Sequence, residues 1–162
     1  MEKRTDKNLY TILFAIGMVV VVGSLLAFTA EYLKPVISKN KRLEKEQNIL
    51  YAMGVNENDE NSAVFVSTEL VDEVFAKYIT KQLVIQNGVT TEDDQAYLID
   101  IKKEQAAAKN DPSKRRLPLF VGEKDGKTFY IAPVLGKGLW DAVWGYVAMD
   151  ENMVVQGAYF DH

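Results

Sequence analysis

Hydrophobic and polar positions divide the chain into two stretches that follow different rules. Residues 8–30 carry no charge, Lys7 and Glu31 bound the run, and Met18-Val19-Val20-Val21-Val22 lies in its middle. At 1.5 Å per residue such a run makes a helix about 35 Å long, enough to cross a hydrocarbon core of about 30 Å. The pattern predicts one retained transmembrane helix at residues 8–33, after an N-terminal tail at 1–7. Ala27-Phe28-Thr29-Ala30 imitates a cleavage site, so removal as a signal peptide is the alternative; the apolar run is longer than such peptides carry. Gly23 and Ala27, four apart, either admit a neighbouring helix closely or are small by chance. Lys3, Arg4 and Lys7 precede the span, and Lys34, Lys39, Lys41, Arg42 and Lys45 follow it. Local charge therefore leans against a cytoplasmic N-terminus.

Beyond Glu31 the pattern becomes that of a water-soluble domain. Pro35 suits the start of a second helix, continued over 37–53 with Leu43, Gln47, Leu50 and Met53 at helical spacing and Gly54 as its stop. Residues 56–61 read as a polar link. Ser67 or Thr68 is expected to cap the next helix, with Glu69, Asp72 and Glu73 in its first turn. Its apolar stripe, Leu70, Val71, Val74, Phe75, Tyr78 and Ile79, faces a domain core or a partner. Leu83-Val84-Ile85 reads as a strand closed by Asn87-Gly88, and 97–101 as another, while 105–109 is helical or loose. From Arg115 the pattern turns to hairpins. Strands at 117–121 and 128–134 flank a turn containing Asp125-Gly126, and strands at 144–149 and 154–160 bracket 150–153. The predicted class is α+β: an N-terminal transmembrane helix, a helical and mixed part at 34–114, and an antiparallel hairpin part at 115–162.

Composition narrows the chemistry. Among 162 residues there are 19 basic and 23 acidic side chains, net −4, so no excess of cations is available for nucleic acid. The absence of Cys excludes disulfides, thiolate zinc sites and a cysteine nucleophile, and the single His, His162, excludes an internal Ser-His-Asp triad or a His-rich metal site. No carboxylate pair recommends itself for acid–base work, so no catalytic residue and no metal ligand is assigned. Glu92-Asp93-Asp94 lacks the spacing of a calcium loop and reads as loop solubility. Lys114, Arg115 and Arg116 form either a solvated edge before a strand or a seat for an acidic partner.

One segment between the hairpins stands out: Gly136-Lys137-Gly138-Leu139-Trp140. Glycines around a lysine let backbone approach an anion, and a neighbouring tryptophan offers a flat surface to a planar ring. The segment thus suits a phosphate-bearing aromatic ligand. A glycine-rich connection whose tryptophan packs into the core is the alternative, since no phosphate-loop or dinucleotide fingerprint is present.

The N-terminal anchor, Arg116-Leu117-Pro118-Leu119-Phe120-Val121, the run from Ile131-Ala132-Pro133-Val134 through Trp140, and Gly157-Ala158-Tyr159-Phe160-Asp161-His162 together resemble the C subunit of the bacterial sodium-translocating NADH:quinone oxidoreductase, an FMN-binding-domain family. The G subunit of the Rnf electron-transport complex is its nearest competitor, and a non-enzymatic single-pass interaction module is the reading from a different class. The resemblance implies a flavoprotein subunit in the inner membrane with a periplasmic soluble domain. It implies FMN relaying electrons from NADH towards ubiquinone, coupled to sodium export, with the other subunits of that translocase as partners. Gly136, Lys137, Gly138, Leu139 and Trp140 would then line the flavin environment. The family attaches FMN covalently to a threonine of a Ser-Gly-Ala-Thr motif, which this sequence does not contain, nor does it contain the Glu-Thr-Pro-Gly-Leu-Gly that the family places after the position of His162. The expectation is a chain cut off before its flavin-attachment region, incomplete at its C-terminus and not active alone.

Overall fold

A computed structural model of the chain describes residues 8–58 and 64–161 and falls into two compact units, Met1–Asn40 and Lys41–His162. The tail at 1–7, with Lys3, Arg4 and Lys7, lies outside the described residues, as do His162 and part of the polar link at 56–61.

Helix α1 spans Asn8–Ala52. Its first part makes up the described portion of the first unit, and its apolar side chains are open on every side; Val19 and Phe28 are each 72% exposed. Among the described residues it is the one helix long and apolar enough to cross a membrane, with a mean hydropathy of 2.6 over its most apolar 18 residues and none of that stretch buried. A helix apolar all round with no protein against it has the surface that lipid chains would solvate. Pro35 does not open a new helix as expected; it lies inside α1. Pro35 has no N–H for the carbonyl of Glu31, and one missing hydrogen bond does not stop two segments that are each helical from running together.

In the second unit α1 ends as the sequence suggests. Gly54 takes φ +77°, its amide donates to the Tyr51 carbonyl at 2.9 Å, and the Val55 amide donates to the Leu50 carbonyl at 2.9 Å. This pair of bonds satisfies the last helical carbonyls and needs the left-handed backbone that glycine adopts freely. Helix α2 is Val71–Tyr78. Neither Ser67 nor Thr68 caps it: Leu70 holds the N-cap position without a side-chain bond, and the backbone carbonyl of Ser67 accepts from Leu70 and Val71 instead. Asp72 and Glu73 do lie in the first turn.

Six antiparallel strands follow: β1 Ile79–Gln86, β2 Val89–Glu92, β3 Arg116–Lys124, β4 Lys127–Lys137, β5 Ala142–Met149 and β6 Val155–Asp161. Their spatial order is β2-β1-β3-β4-β5-β6. Asn87 and Gly88 (φ 50° and 77°) and Asp125 and Gly126 (φ 53° and 72°) make the two tight turns, both residues left-handed in each, which matches the twist of the flanking strands. Between β2 and β3 the strand expected at 97–101 is absent. Ala96–Leu98 is a 3-10 turn and helix α3 is Ile101–Ala107. The Asp100 carboxylate accepts the amides of Lys102 and Lys103 at 3.0 and 3.2 Å, and that cap starts a helix where the apolar residues alone suggested a strand.

The core lies on one face of the sheet. Phe120 stands opposite Ile131, and Ile131 opposite Ala148, so these residues and Tyr146 share a face with Val84. Against them pack Leu43, Ile49, Leu50 and Met53 of the α1 end, with Val71 and Phe75 of α2. Each fully buried large side chain here contributes about 1.5–3 kcal/mol relative to exposure. The alternate positions, Leu83, Leu119, Val121, Tyr130, Val134 and Val147, are only partly buried and take no part in this core.

Candidate functional site

Register brings several segments to one end of the sheet. There β1 finishes at Gln86 beside Arg116, the first residue of β3; β4 finishes at Lys137 beside Ala142, the first residue of β5; and Asp161 of β6 lies beside Trp144. The glycine–lysine segment singled out in the sequence is the β4–β5 connection at this end.

Within it Gly136 and Lys137 still belong to β4, paired with Val143 and Ala142. The chain reverses over 138–141, where the Gly138 amide donates to the Asp141 carbonyl at 2.9 Å. The Asp141 carboxylate in turn accepts the Ala142 amide at 2.6 Å. A Cβ at Gly138 would collide with the Asp141 carbonyl oxygen and lie 2.8 Å from Val143 Cγ2, whereas one at Gly136 would meet nothing within 4 Å. The two glycines therefore do different work: Gly138 is required by close packing and Gly136 is not. The tight turn leaves Leu139 91% and Trp140 95% exposed. Trp140 is thus not the core residue of the alternative reading.

Trp144 is. Its ring meets Tyr159 edge-on at 6.1 Å, and Tyr159 meets Tyr51 and Phe65 at 5.8 and 5.6 Å. Trp144 and Tyr159 of this cluster pack against the core. Burial and the hydrogen bond from Tyr159 Oη to Asp161, 3.0 Å, push the Tyr159 hydroxyl up to about 12. It stays protonated and acts as a donor.

Arg116 is committed rather than offered to a partner. Its Nε and Nη2 donate to Glu104 Oε1 at 3.1 and 2.6 Å, and its backbone amide donates to Glu104 Oε2 at 3.1 Å. The Arg116 side-chain bonds come first among the causes that hold the buried Glu104 carboxyl below its usual range, against desolvation. Glu104 fastens α3 to β3, a role that sequence reasoning missed; the one cue was a lone acid on the inner side of a short amphipathic segment. Beside this pair lies an open cleft of about 290 Å³ lined by Asp93, Leu98, Asp100 and Lys103 among others. Asp93 accepts the Gln95 amide at 2.8 Å, which accounts for it as a turn residue. Among the described residues no cluster of His, Asp or Glu could hold a metal ion.

The arrangement can present an apolar, aromatic surface to a planar group. That half of the expected FMN environment fits, since the Trp140 face and Leu139 are open for stacking. The phosphate half does not fit. The Gly138 amide is already used, and neither Gly136 nor Gly138 adopts the left-handed backbone of an anion-binding nest.

No family model matches the chain. Curated relatives do. The C subunit of the Na(+)-translocating NADH-quinone reductase of Haemophilus ducreyi is 27% identical over 93% of this chain and 62% of its own length. Its counterpart in Pseudomonas aeruginosa is 29% identical over 94% of this chain and 62% of its own length. That of Neisseria meningitidis serogroup B is 27% identical over 99% and 66%. A crystal structure of the C subunit of the Na(+)-translocating NADH-quinone reductase from Parabacteroides distasonis superposes with a TM-score of 0.64 at 28% identity, covering 80% of this chain and 58% of that one. The chain resembles the C subunit of this reductase. Over the matched 80% of the chain it shares its α+β architecture with the Parabacteroides structure. It spans less than two thirds of the length of the first two of these relatives and about two thirds of the third.

Proposed function

We propose that the chain is the membrane-anchored flavoprotein subunit of a sodium-translocating NADH:quinone oxidoreductase. In this reading it passes electrons from NADH towards ubiquinone through FMN, in partnership with the other subunits of the complex. The observation that carries the proposal is the likeness to the reductase's C subunit along 93 to 99% of the chain, joined to a common fold at 28% identity. Residues 8–33 serve as the anchor, 34–114 as the helical and mixed part of the soluble domain, and 115–162 as the start of the flavin-binding part, on the periplasmic side of the inner membrane.

FMN, when bound, supplies the one- and two-electron chemistry. This chain supplies position. Leu139 and Trp140, held outward by the Gly138 turn, give an apolar and stacking surface for the ring system, with Lys137 and Gly136 on the strand leading to it. The absence of an acid–base pair among the assigned residues suits that division of labour.

A tagged copy of the chain, recovered from its native membranes in mild detergent, should bring down sodium-stimulated NADH:quinone reductase activity. Recovery of the tagged chain free of that activity, with the activity left in the unbound fraction, would refute the assignment. A reporter fused after Asp161 should be active only in its exported form. On denaturing gels the 162-residue chain should show no flavin fluorescence, because the covalent motif is absent from it.

A further inference from the structure

Arg42 and Glu46 stand one turn apart on α1, and Arg42 reaches across to Asp72 in the first turn of α2. Arg42 Nη2 donates to Asp72 Oδ1 at 2.8 Å, and Arg42 Nη1 lies 3.8 Å from Glu46 Oε1. The two acids differ in setting. Asp72 is open to water, with 55% of its side chain exposed, whereas Glu46 is only 4% exposed and its Oε2 is buried without a hydrogen-bond donor. One guanidinium, already drawn to Asp72, thus faces two carboxyl groups. An ionised Glu46 would leave a buried oxygen unsatisfied beside a like charge. The same oxygen carrying a proton becomes a donor, and the other carboxyl group on the same Arg42 guanidinium, that of Asp72, is the acceptor it faces.

We propose that Arg42, Glu46 and Asp72 form a proton-holding clasp between α1 and α2, in which Glu46 is protonated and donates to an ionised Asp72 that Arg42 holds in place. Deprotonation breaks the Glu46–Asp72 hydrogen bond, sets two carboxylates against each other, and loosens α2, which runs without a break into β1 at Ile79. The other groups nearby do not replace the proton. Tyr97, from the turn before α3, faces Arg42 rather than Glu46, and Lys45 points to the Tyr97 carbonyl at 2.8 Å. Burial first, then the Asp72 carboxyl, push Glu46 up to about 7 against the pull of Arg42. The clasp therefore holds at acid pH and opens as pH rises through neutrality.

The test uses the full chain in detergent micelles. Infrared difference spectra between pH 6 and pH 8 should show the carbonyl stretch of a protonated carboxylic acid disappearing, and Glu46→Gln should abolish that band. Amide hydrogen exchange of 71–78, corrected for intrinsic rates, should speed up about tenfold over the same range in the wild type. In Glu46→Gln it should stay slow, because the neutral amide still donates to Asp72. A wild-type spectrum without a titrating carboxylic band, or an unchanged pH response in Glu46→Gln, overturns the clasp. If Glu46→Gln does not fold, Asp72→Asn takes its place: it should shift the band's midpoint downward by removing the like charge, and an unmoved midpoint counts against the proposal.

Discussion

The amide of Gly138 donates to the carbonyl of Asp141 at 2.9 Å, and this bond closes the β4–β5 connection so tightly that no side chain fits at position 138. Leu139 and Trp140 are displayed by the closure. Gly138→Ala should lower stability by about 1–3 kcal/mol, as overpacking against rigid backbone does, because the obstructing atom belongs to the Asp141 main chain. Gly136→Ala has open space and should stay within about 0.5 kcal/mol of the wild type. Denaturant melts of the two variants check the contrast, and equal losses would show that the turn is not held as described.

The facing of the sheet gives a second contrast. Phe120 is 1% exposed against Ile131 and Tyr146, while its neighbour Leu119 points to the other side. Phe120→Ala should cost about 3–5 kcal/mol through lost burial and a cavity. Leu119→Lys should fold with normal far-ultraviolet dichroism and increased solubility, since its side is only partly covered. An unfolded Leu119→Lys would mean that the facing is wrong or that this side is covered.

Much of the sheet was legible because its signals are local. Asp125-Gly126 and Asn87-Gly88 demand left-handed backbone, and the flanking alternation of Phe120, Ile131 and Tyr146 with less buried neighbours sets the register. The strand β2 after Asn87-Gly88 was missed, being short and fully exposed. Residues 97–101 misled because Tyr97, Leu98 and Ile99 are apolar in a row, whereas the cap at Asp100 decides the structure. Arg42, Glu46 and Asp72 could not be found from spacing. Arg42 and Asp72 are separated by 30 positions, and the burial of Glu46 depends on which side of α1 meets the sheet. At the candidate site the sequence located the loop but not the difference between its glycines, because Gly138 is constrained by a carbonyl three residues on.

Stability should also fall at acid pH through Glu104. Its carboxyl is held below the usual range by Arg116, so the stabilisation is fully present above the unfolded value of 4.5 and is lost as pH falls through the lower folded value. Glu104→Gln should remove that part of the acid sensitivity and cost about 1–2 kcal/mol at neutral pH. The loss stays modest because Arg116 is half exposed and water can serve its freed donors. Thermal melts of both proteins between pH 3 and pH 7 would reveal it; parallel curves would mean that other carboxylates dominate acid unfolding.

Trp140 and Trp144 separate the flavin reading from simple packing. Trp144 sits in an aromatic cluster with Tyr159, Tyr51 and Phe65, so Trp144→Leu should lower stability by about 1–3 kcal/mol, as reshaping a large packed side chain does. Trp140 has almost no protein around it, so Trp140→Leu should leave the melting temperature unchanged. If the exposed ring stacks on FMN in the assembled complex, the same substitution should shift the flavin midpoint potential or relieve quenched flavin fluorescence. Both variants can be measured in complex recovered through a tag on this chain, with potentiometry and fluorescence for the flavin and thermal melts of the isolated chain for the fold. A potential and fluorescence that ignore Trp140→Leu would leave the Gly138 turn a tight connection with an exposed tryptophan and remove this loop from the flavin site. A lowered melting temperature in Trp140→Leu would place the ring back against protein.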